Sequence, residues 1–167
     1  MFKKTERIKI DEINKKILAT IHGRADISNQ ELADEVGLSP SACFQRTKSL
    51  KDAGYFPSFH TEMDIDRLCE HVLAYVEFTL ESNNLAYRKT FEAAIEEIPE
   101  FMDCLRVSGD TDYVSFTCSS SINSLNELCD QLSGNEKLRI KNIKQRIILG
   151  RAKFYLGYPL EKLKWLE

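Results

Sequence analysis

Residues 27–55 read ISNQELADEVGLSPSACFQRTKSLKDAGY, and this stretch decides the fold of the first part of the chain. Ser28 stands three residues before Glu31, which is the spacing of a capping box and predicts the start of a short helix. The pair Ser39-Pro40 combines an N-cap residue with proline at the first helical position, and it predicts a second helix over residues 41–53. Two helices joined by a turn of about three residues form a helix-turn-helix.

An apolar stripe precedes this pair of helices. Its members recur at a spacing of three and four residues: Ile10, Ile13, Ile17, Leu18 and Ile21. The stripe predicts one more helix, which begins at Asp11 and ends near Gly23, so that residues 1–54 form a three-helix domain. The last helix has a core stripe that contains Thr47 and Leu50. Its first member is either Cys43 or Phe44, and the spacing does not distinguish these two.

The last of the three helices has the composition of a DNA-reading helix. In a helix-turn-helix the second helix of the pair lies in the major groove, with its N-terminal residues towards the bases. Glutamine pairs with adenine and arginine with guanine, while serine, lysine and helix N-terminal amides hold phosphates. Between Ser39 and Lys51 the chain has three cations and no acid, which suits a negatively charged duplex. The expected DNA-contacting residues are Ser39, Ser41, Ala42, Gln45, Arg46, Lys48, Ser49 and Lys51. From spacing alone, a protein-interaction domain with a solvated basic face stays open as the alternative.

The remainder of the chain predicts a β-α-β-β-α-β order, which is that of the ferredoxin-like fold. The expected strands are 73–80, 101–107, 113–118 and 138–154, and the expected helices are 85–98 and 122–132. Residues 55–72 are expected to be a linker with a short tether strand at 55–61, and residues 73–167 a second domain. A wing against DNA is the alternative role of this strand, and Pro57 and the lack of cations favour the tether. A four-stranded sheet with helices on one face leaves its other face open, and self-association covers such a face most simply.

Composition limits the classes of protein to which the chain can belong. With 167 residues, 43% hydrophobic and 29% charged, it is too apolar for a disordered chain and too mixed for a coiled-coil rod. Its apolar runs are short and its first residues lack the pattern of a signal peptide, so we expect a cytoplasmic protein without a membrane span. Five cysteines without a CxxC spacing fit reduced thiols.

Charge is distributed unevenly along the chain. Residues 1–60 have ten Lys or Arg against eight Asp or Glu, a sum of +2, whereas residues 61–167 sum to −5. Such a split suggests two parts with different partners. The sequence has no His, Cys and Asp cluster with metal-ligand spacing, no P-loop and no dinucleotide fingerprint, so we expect no cofactor and no metal.

With these features in place, the chain resembles the Lrp/AsnC family of transcription factors, the leucine-responsive and asparagine regulators. The resemblance covers residues 8–160 and rests on IDEINKKIL, on the stretch quoted above, on LRVSGDTDYV and on RAKFYLGYPL. It implies an α+β chain with a winged-type helix-turn-helix and a ferredoxin-like regulatory domain that forms dimers and often octamers. It also implies binding to promoter DNA and a response to a small molecule, usually an amino acid. The tail EKLKWLE runs past the usual end of the family, and its leucines at helical spacing predict a helical start.

The loop between the second and third expected strands is the candidate effector site. A free amino acid needs an anion for its ammonium group and backbone N–H groups for its carboxylate; a glycine in the loop allows close backbone approach, and two aspartates supply anions. One of these aspartates can instead cap the turn. The resemblance implies that the loop lines a pocket between neighbouring subunits. The expected effector-binding residues are Ser108, Gly109, Asp110, Thr111 and Asp112, and the alternative is a plain β-turn.

Two other classes of function stay open at this stage. Siroheme decarboxylase subunits resemble the same family, which makes an enzyme subunit one alternative, although nothing in this sequence forms the basic, histidine-bearing cavity that a tetrapyrrole needs. A protein-interaction module without DNA binding is the other alternative, and the basic helix argues against it. The sequence therefore favours a non-enzymatic regulator of transcription.

Overall fold

The computed structural model describes residues 8–59, 61, 63–153 and 157–166. These residues fall into two units, one taken from Met1–Met63 and Lys153–Glu167 and the other from Asp64–Ala152. The sequence predicts a second domain over residues 73–167, whereas the described residues of the C-terminal segment group with the first unit, where Trp165 packs against the core. No helix within the described ranges combines the length and the apolar character that a membrane crossing requires.

Three helices build the first unit, and each begins where the sequence supplies a cap. They are α1 (Glu12–Gly23), α2 (Asn29–Val36) and α3 (Pro40–Asp52). The Asp11 carboxylate accepts a hydrogen bond from the Asn14 N–H at 2.8 Å and caps α1. Ser28 and Glu31 form the complete capping box of α2, and the Ser39 hydroxyl caps α3. The predicted helix starts are therefore confirmed, since caps are encoded by residues next to one another in the sequence.

The three helices enclose one apolar core. Its buried members are Ile17, Leu18, Ile21, Leu32, Ala33, Val36, Cys43 and Leu50. Cys43 is fully buried, whereas Phe44 is 54% exposed, so the core takes the cysteine and leaves the phenylalanine at the surface. Thr47 is half-buried beside them.

The segment that follows α3 does not form the expected tether strand. Residues 55–59 and 61 have no strand structure, and His60 lies outside the described residues. Pro57 lacks a backbone N–H with which to continue a ladder. Tyr55 and Phe56 instead pack against the core of the first unit.

The second unit has the predicted β-α-β-β-α-β order. Its elements are β1 (Val72–Leu80), α4 (Leu85–Glu96), β2 (Leu105–Arg106), β3 (Tyr113–Ser119), α5 (Ile122–Gly134) and β4 (Ile140–Ile147). The four strands pair antiparallel in the order β2-β3-β1-β4. This is the ferredoxin-like arrangement, so the predicted α+β fold class is confirmed.

Two strands are shorter than the sequence predicts. Between Phe101 and β2, side-chain bonds replace part of the ladder: the Phe116 N–H donates to the Asp103 carboxylate at 2.7 Å, and the Ser115 hydroxyl donates to the Asp103 carbonyl. β4 begins only after Arg139, which has a φ of 51°. The same strand ends at Ile147, and the described residues 148–153 have no strand structure, so the predicted extension towards residue 154 is wrong.

Helices cover one face of the sheet, and in the described part of the chain no helix covers the other. The covered face carries the buried residues of β1, which are Ala74, Val76, Phe78 and Leu80. The opposite face, called here the open face, carries Leu73, Tyr75 and Glu77 of β1 and Val114, Phe116 and Cys118 of β3. The rings of Tyr75 and Phe116 lie 5.3 Å apart on it, and Tyr75 is 45% exposed.

Candidate functional site

The face of α3 that points away from the core carries most of the predicted DNA-contacting residues. Those that the structure leaves exposed are Ser39, Ser41, Gln45, Lys48, Ser49 and Lys51, and the two that are half-buried are Ala42 and Arg46. The Ser49 hydroxyl donates to the Gln45 carbonyl at 3.0 Å, so it bonds to its own helix. The Gln45 side chain and the Lys48 ammonium group have no hydrogen-bond or ion-pair partner among the described residues, which leaves both available to a ligand.

Arg46 occupies a different environment from its neighbours. Its Nη1 donates to the Asp11 carboxylate at 2.7 Å and to the Asn14 side-chain oxygen at 3.0 Å. Asn14 is 7% exposed, and its amide also donates to the Lys9 carbonyl at 3.0 Å. These bonds link the start of α1 to the middle of α3. They hold α3 against α1 through charged and polar contacts.

The Asp11 carboxylate is stabilised in its charged form by this arrangement. The hydrogen bond from the Asn14 N–H lowers its pKa most, and the Arg46 guanidinium lowers the pKa further. The first effect comes from the helix cap and the second from the partner on α3. One carboxylate therefore serves both as the cap of α1 and as the anchor of Arg46.

A groove of about 410 Å³ lies beside this ion pair, between the start of α1 and the exposed side of α3. Its lining residues are Ile8, Lys9, Asp11, Asn14, Gln45, Arg46 and Ser49. Lys9 adds an exposed cation at the edge of the α3 face. Sequence reasoning missed this residue because it precedes the helix, where periodicity gives no face.

Two aromatic residues also border the α3 face. Phe44 is 54% exposed on the helix itself. The centre of the Phe59 ring lies 5.0 Å from the Lys51 ammonium group in a cation–π contact. Apolar side chains in the major groove contact the thymine methyl group. Residue spacing does not distinguish Cys43 from Phe44 as the core residue, so the exposed ring could be located only from the structure.

The predicted effector loop connects β2 to β3. Ser108, Gly109 and Asp110 are exposed, and Thr111 and Asp112 are half-buried. Gly109 has a φ of 120°, a conformation that favours glycine. All five residues lie in the connection between these two strands.

The two aspartates of this loop have different roles in the structure. The Asp112 carboxylate accepts hydrogen bonds from the Leu80 N–H at 2.8 Å and from the Asn83 amide at 2.9 Å. It therefore fixes the loop to the end of β1. No described residue bonds to the Asp110 carboxylate, whereas the carbonyl of that residue accepts from the Thr79 hydroxyl at 3.3 Å.

Glu77 places a third carboxylate near the loop, on the open face. Arg146 of β4 donates to it, and this bond, assisted by a smaller one from Thr111, lowers the pKa of the Glu77 carboxyl. Sequence spacing does not indicate Glu77 as part of this site, since Glu77 lies on a different strand and only strand pairing brings it near Thr111. Glu77 and Asp110 are thus the anions that the structure offers beside the loop.

Metal and thiol chemistry find little support in the described residues. Within those ranges no group of three His, Cys, Asp or Glu side chains could hold a metal ion. The five cysteines are free thiols. Burial raises the pKa of Cys104 and of Cys129 to about 11, which keeps both in the unreactive protonated form.

Comparison with known protein families assigns both units. A family model described as winged helix-turn-helix DNA-binding matches residues 10–56, and one described as Lrp/AsnC ligand binding domain matches residues 73–154. The transcriptional regulator AzlB of Bacillus subtilis is 31% identical over 93% of this chain and 99% of its own length. The leucine-responsive regulatory protein of Salmonella typhimurium is 33% identical over 63% of this chain and 64% of its own length.

Solved structures share the same fold. A transcriptional regulator of Neisseria meningitidis, crystallised as a complex with L-Met, superposes with a TM-score of 0.80 at 24% identity and covers 91% of this chain and 97% of its own. An AsnC family regulator of Agrobacterium tumefaciens gives a TM-score of 0.79 at 22% identity, with 92% and 99% of the two chains covered. The order of the two units is thus common to this chain and these regulators.

Proposed function

The chain belongs to the Lrp/AsnC family of DNA-binding transcriptional regulators with a ligand-binding domain, and on that premise we propose that α3 reads promoter DNA while a small amino acid modulates the protein. The observation that carries the proposal is the exposed α3 face, where Gln45 and Lys48 have no protein partner among the described residues. A side-chain amide and an ammonium group in that position suit a base edge and a phosphate.

The DNA-contacting set stays the one that the sequence predicts, with different roles for its members. Gln45 is the candidate for base reading, and Lys48 and Lys51 are candidates for phosphate contacts. Arg46 supports α3 through Asp11 and, with its side chain 35% exposed, also contributes positive charge to the face. Ser39 and Ser41 lie at the helix start, where N–H groups and hydroxyls hold a phosphate.

The effector proposal concerns the loop Ser108–Asp112. An amino acid ligand is supported by the L-Met complex of the related Neisseria meningitidis regulator. Asp110 and Glu77 are the anions proposed to bind its ammonium group, and Asp112 is proposed to hold the loop in shape. Gly109 allows the backbone to approach the ligand carboxylate closely.

The open face is proposed to bind a second copy of this chain. Tyr75, Phe116 and Leu73 form an apolar patch that helices do not cover, and the Glu77–Arg146 ion pair flanks it. A two-fold dimer would place two reading helices on successive major grooves, about 10 bp or a multiple apart.

Such a regulator is proposed to work in the cytoplasm, without a cofactor and without enzymatic activity.

The test is DNA binding measured by fluorescence anisotropy over a range of salt concentrations. The chain should prefer its own upstream region to random duplex DNA, and its affinity should fall steeply as salt rises. Equal affinity for both duplexes at every salt concentration would contradict specific regulation. The enzyme alternative predicts a tetrapyrrole absorbance band in the purified protein, and this proposal predicts none.

A further inference from the structure

The C-terminal segment of the chain lies against α1 of the DNA-binding unit. Trp165 packs against the apolar core of that unit, and the Lys15 ammonium group is 5.9 Å from the centre of its ring. Seven residues earlier, the ring of Tyr158 stacks on His22 with 5.4 Å between centres and 9° between planes. The segment, defined here as residues 157–166, thus touches both the first turn and the last turn of α1.

The backbone at Gly157 is shaped for this contact. Its φ is 87°, in the region that favours glycine, and a Cβ there would lie 2.4 Å from the His22 Nε2 atom. The next residue donates its backbone N–H to the same nitrogen, so His22 accepts from the main chain of the segment. A side chain at position 157 would therefore remove both the close approach and the hydrogen bond.

The expected helical start of the tail is limited to one turn. Only Leu160–Lys162 makes a single 3-10 turn, and the backbone is extended at Leu163. Leu163 and Leu166 are 52% and 78% exposed, whereas Trp165 is the residue that turns inward. Adjacent residues of an extended chain point to opposite sides, so Leu166 points outward where Trp165 turns inward.

This contact changes how the two units are connected along the chain. The ligand-binding unit, Asp64–Ala152, is inserted between two parts of the DNA-binding unit. The match to the ligand-binding family model ends at residue 154, so the docked segment lies beyond the part that the family model describes. When the segment is docked, the chain on each side of the ligand-binding unit belongs to the DNA-binding unit.

We propose that the α1 surface formed by Lys15, His22 and the adjoining core is a docking site for the chain's own C-terminal segment. The docked segment acts as a strap, through which the ligand-binding unit acts on the DNA-binding unit at two chain connections and not at the linker alone. A ligand shifts a conformational equilibrium only when it binds one of two conformations more tightly than the other. A second connection between the units makes the conformation of the DNA-binding unit depend more strongly on that of the ligand-binding unit. The docking does not depend on the proposed function, whereas its effect on DNA binding rests on it.

The test uses the single tryptophan of the full-length chain as its reporter, since the sequence contains one. Acrylamide quenching of Trp165 fluorescence should rise about twofold in Gly157→Ala and in His22→Ala, because local undocking exposes the ring. Leu166→Ala is the matched control within the same segment, and its quenching should equal that of the natural chain. If the two docking variants quench no more than this control, the docking site is wrong.

Two further measurements test docking within one chain and the strap separately. Quenching should stay constant on dilution, because the occupant belongs to the same chain; a rise on dilution would show that a second copy supplies it and would overturn docking in cis. In the two docking variants, the change in DNA affinity caused by a bound amino acid should shrink while the affinity of the unliganded protein is retained. An undiminished ligand response in undocked variants would overturn the strap, and absence of DNA binding by the natural chain would instead contradict the proposed function.

Discussion

Arg46 in the middle of α3 donates to the carboxylate of Asp11 at the start of α1, over 2.7 Å. The most basic group of α3 is therefore partly committed to a partner inside the protein. Lys48, two residues later, has no such partner among the described residues. Two cations that the sequence treats alike thus have separate roles: one orients the helix and the other is available to DNA.

Arg46→Ala should lower the stability of the first unit. It removes two charge-assisted hydrogen bonds and leaves the buried Asn14 oxygen without its partner, a loss of about 1–3 kcal/mol in the free energy of unfolding. Urea denaturation measures this loss. Lys48→Ala is the control and should change stability by less than about 0.5 kcal/mol, since its side chain is exposed. Equal effects of the two substitutions would contradict the structural role of Arg46.

Lys48→Ala should weaken binding to all duplexes by a similar factor. Because it removes one phosphate contact, the slope of log affinity against log salt concentration should fall by about 1. Gln45→Ala should instead relax the preference at one base pair, by about 1–3 kcal/mol. Anisotropy titrations on a set of single-base variants distinguish these outcomes. Lys89→Ala, an exposed lysine of α4, should alter neither quantity.

Asp11 predicts a definite dependence of stability on pH. Its pKa is lowered in the folded state from an ordinary value of 3.8, so its charged form stabilises the fold above that value, and the contribution is lost as pH falls through the lowered folded pKa. Asp11→Asn keeps a good helix cap but removes the charge. The natural chain should be more stable than this variant at pH 7, and the difference should shrink progressively below about pH 4. A difference that stays constant down to pH 2 would exclude this linkage.

The two aspartates of the effector loop should separate in their effects. Asp110→Ala should weaken amino acid binding without changing the melting temperature, because the described residues make no bond to its carboxylate. Asp112→Ala should lower the stability of the second unit by about 1–3 kcal/mol, since it leaves the Leu80 N–H and Asn83 unpaired. Calorimetry against the twenty amino acids and thermal denaturation measure the two effects. If no amino acid binds the natural chain, or if Asp110→Ala binds equally well, the loop is not the effector site.

Tyr75→Lys should dissociate the proposed dimer. A lysine in the centre of the open face would place a charge in an apolar contact, at a cost of several kcal/mol. Light scattering should then report the mass of a single chain, 19.2 kDa. Leu85→Lys replaces an apolar residue of similar exposure on α4 and should leave the mass of the assembly unchanged. A Tyr75→Lys protein with the mass of the natural assembly would place the dimer contact elsewhere.

Local signals in the sequence predicted the helices of the first unit well. Ser28, Glu31 and Ser39 act on backbone groups within three residues of themselves, so their pattern alone defines where α2 and α3 begin. Strand ends were less predictable. Asp103 shortens the ladder of β2 by bonding to Phe116, and that partner is thirteen residues away.

The sites required contacts that no spacing rule records. The residue type at position 46 favours DNA contact, and only the fold brings Asp11, thirty-five residues earlier, within hydrogen-bond distance. In the effector loop the sequence allowed one aspartate to shape the turn but gave no means to choose it. Pairing of β1 with β3 brings Asp112 to Leu80 and thereby selects it. The C-terminal segment groups with the first unit through Trp165, and no spacing rule relates this residue to a helix near the other end of the sequence.

Insertion of the ligand-binding unit between two parts of the DNA-binding unit has a consequence for exchanging modules. A helix-turn-helix fragment cut at residue 59 would contain α1 and its core residues but not Trp165, so one side of its core would be bare. Recombination that swaps the first sixty residues between relatives would likewise pair an α1 surface with a foreign tail. The DNA-binding unit of this chain is therefore discontinuous in sequence. A working chimera needs its N-terminal and C-terminal segments to come from the same parent.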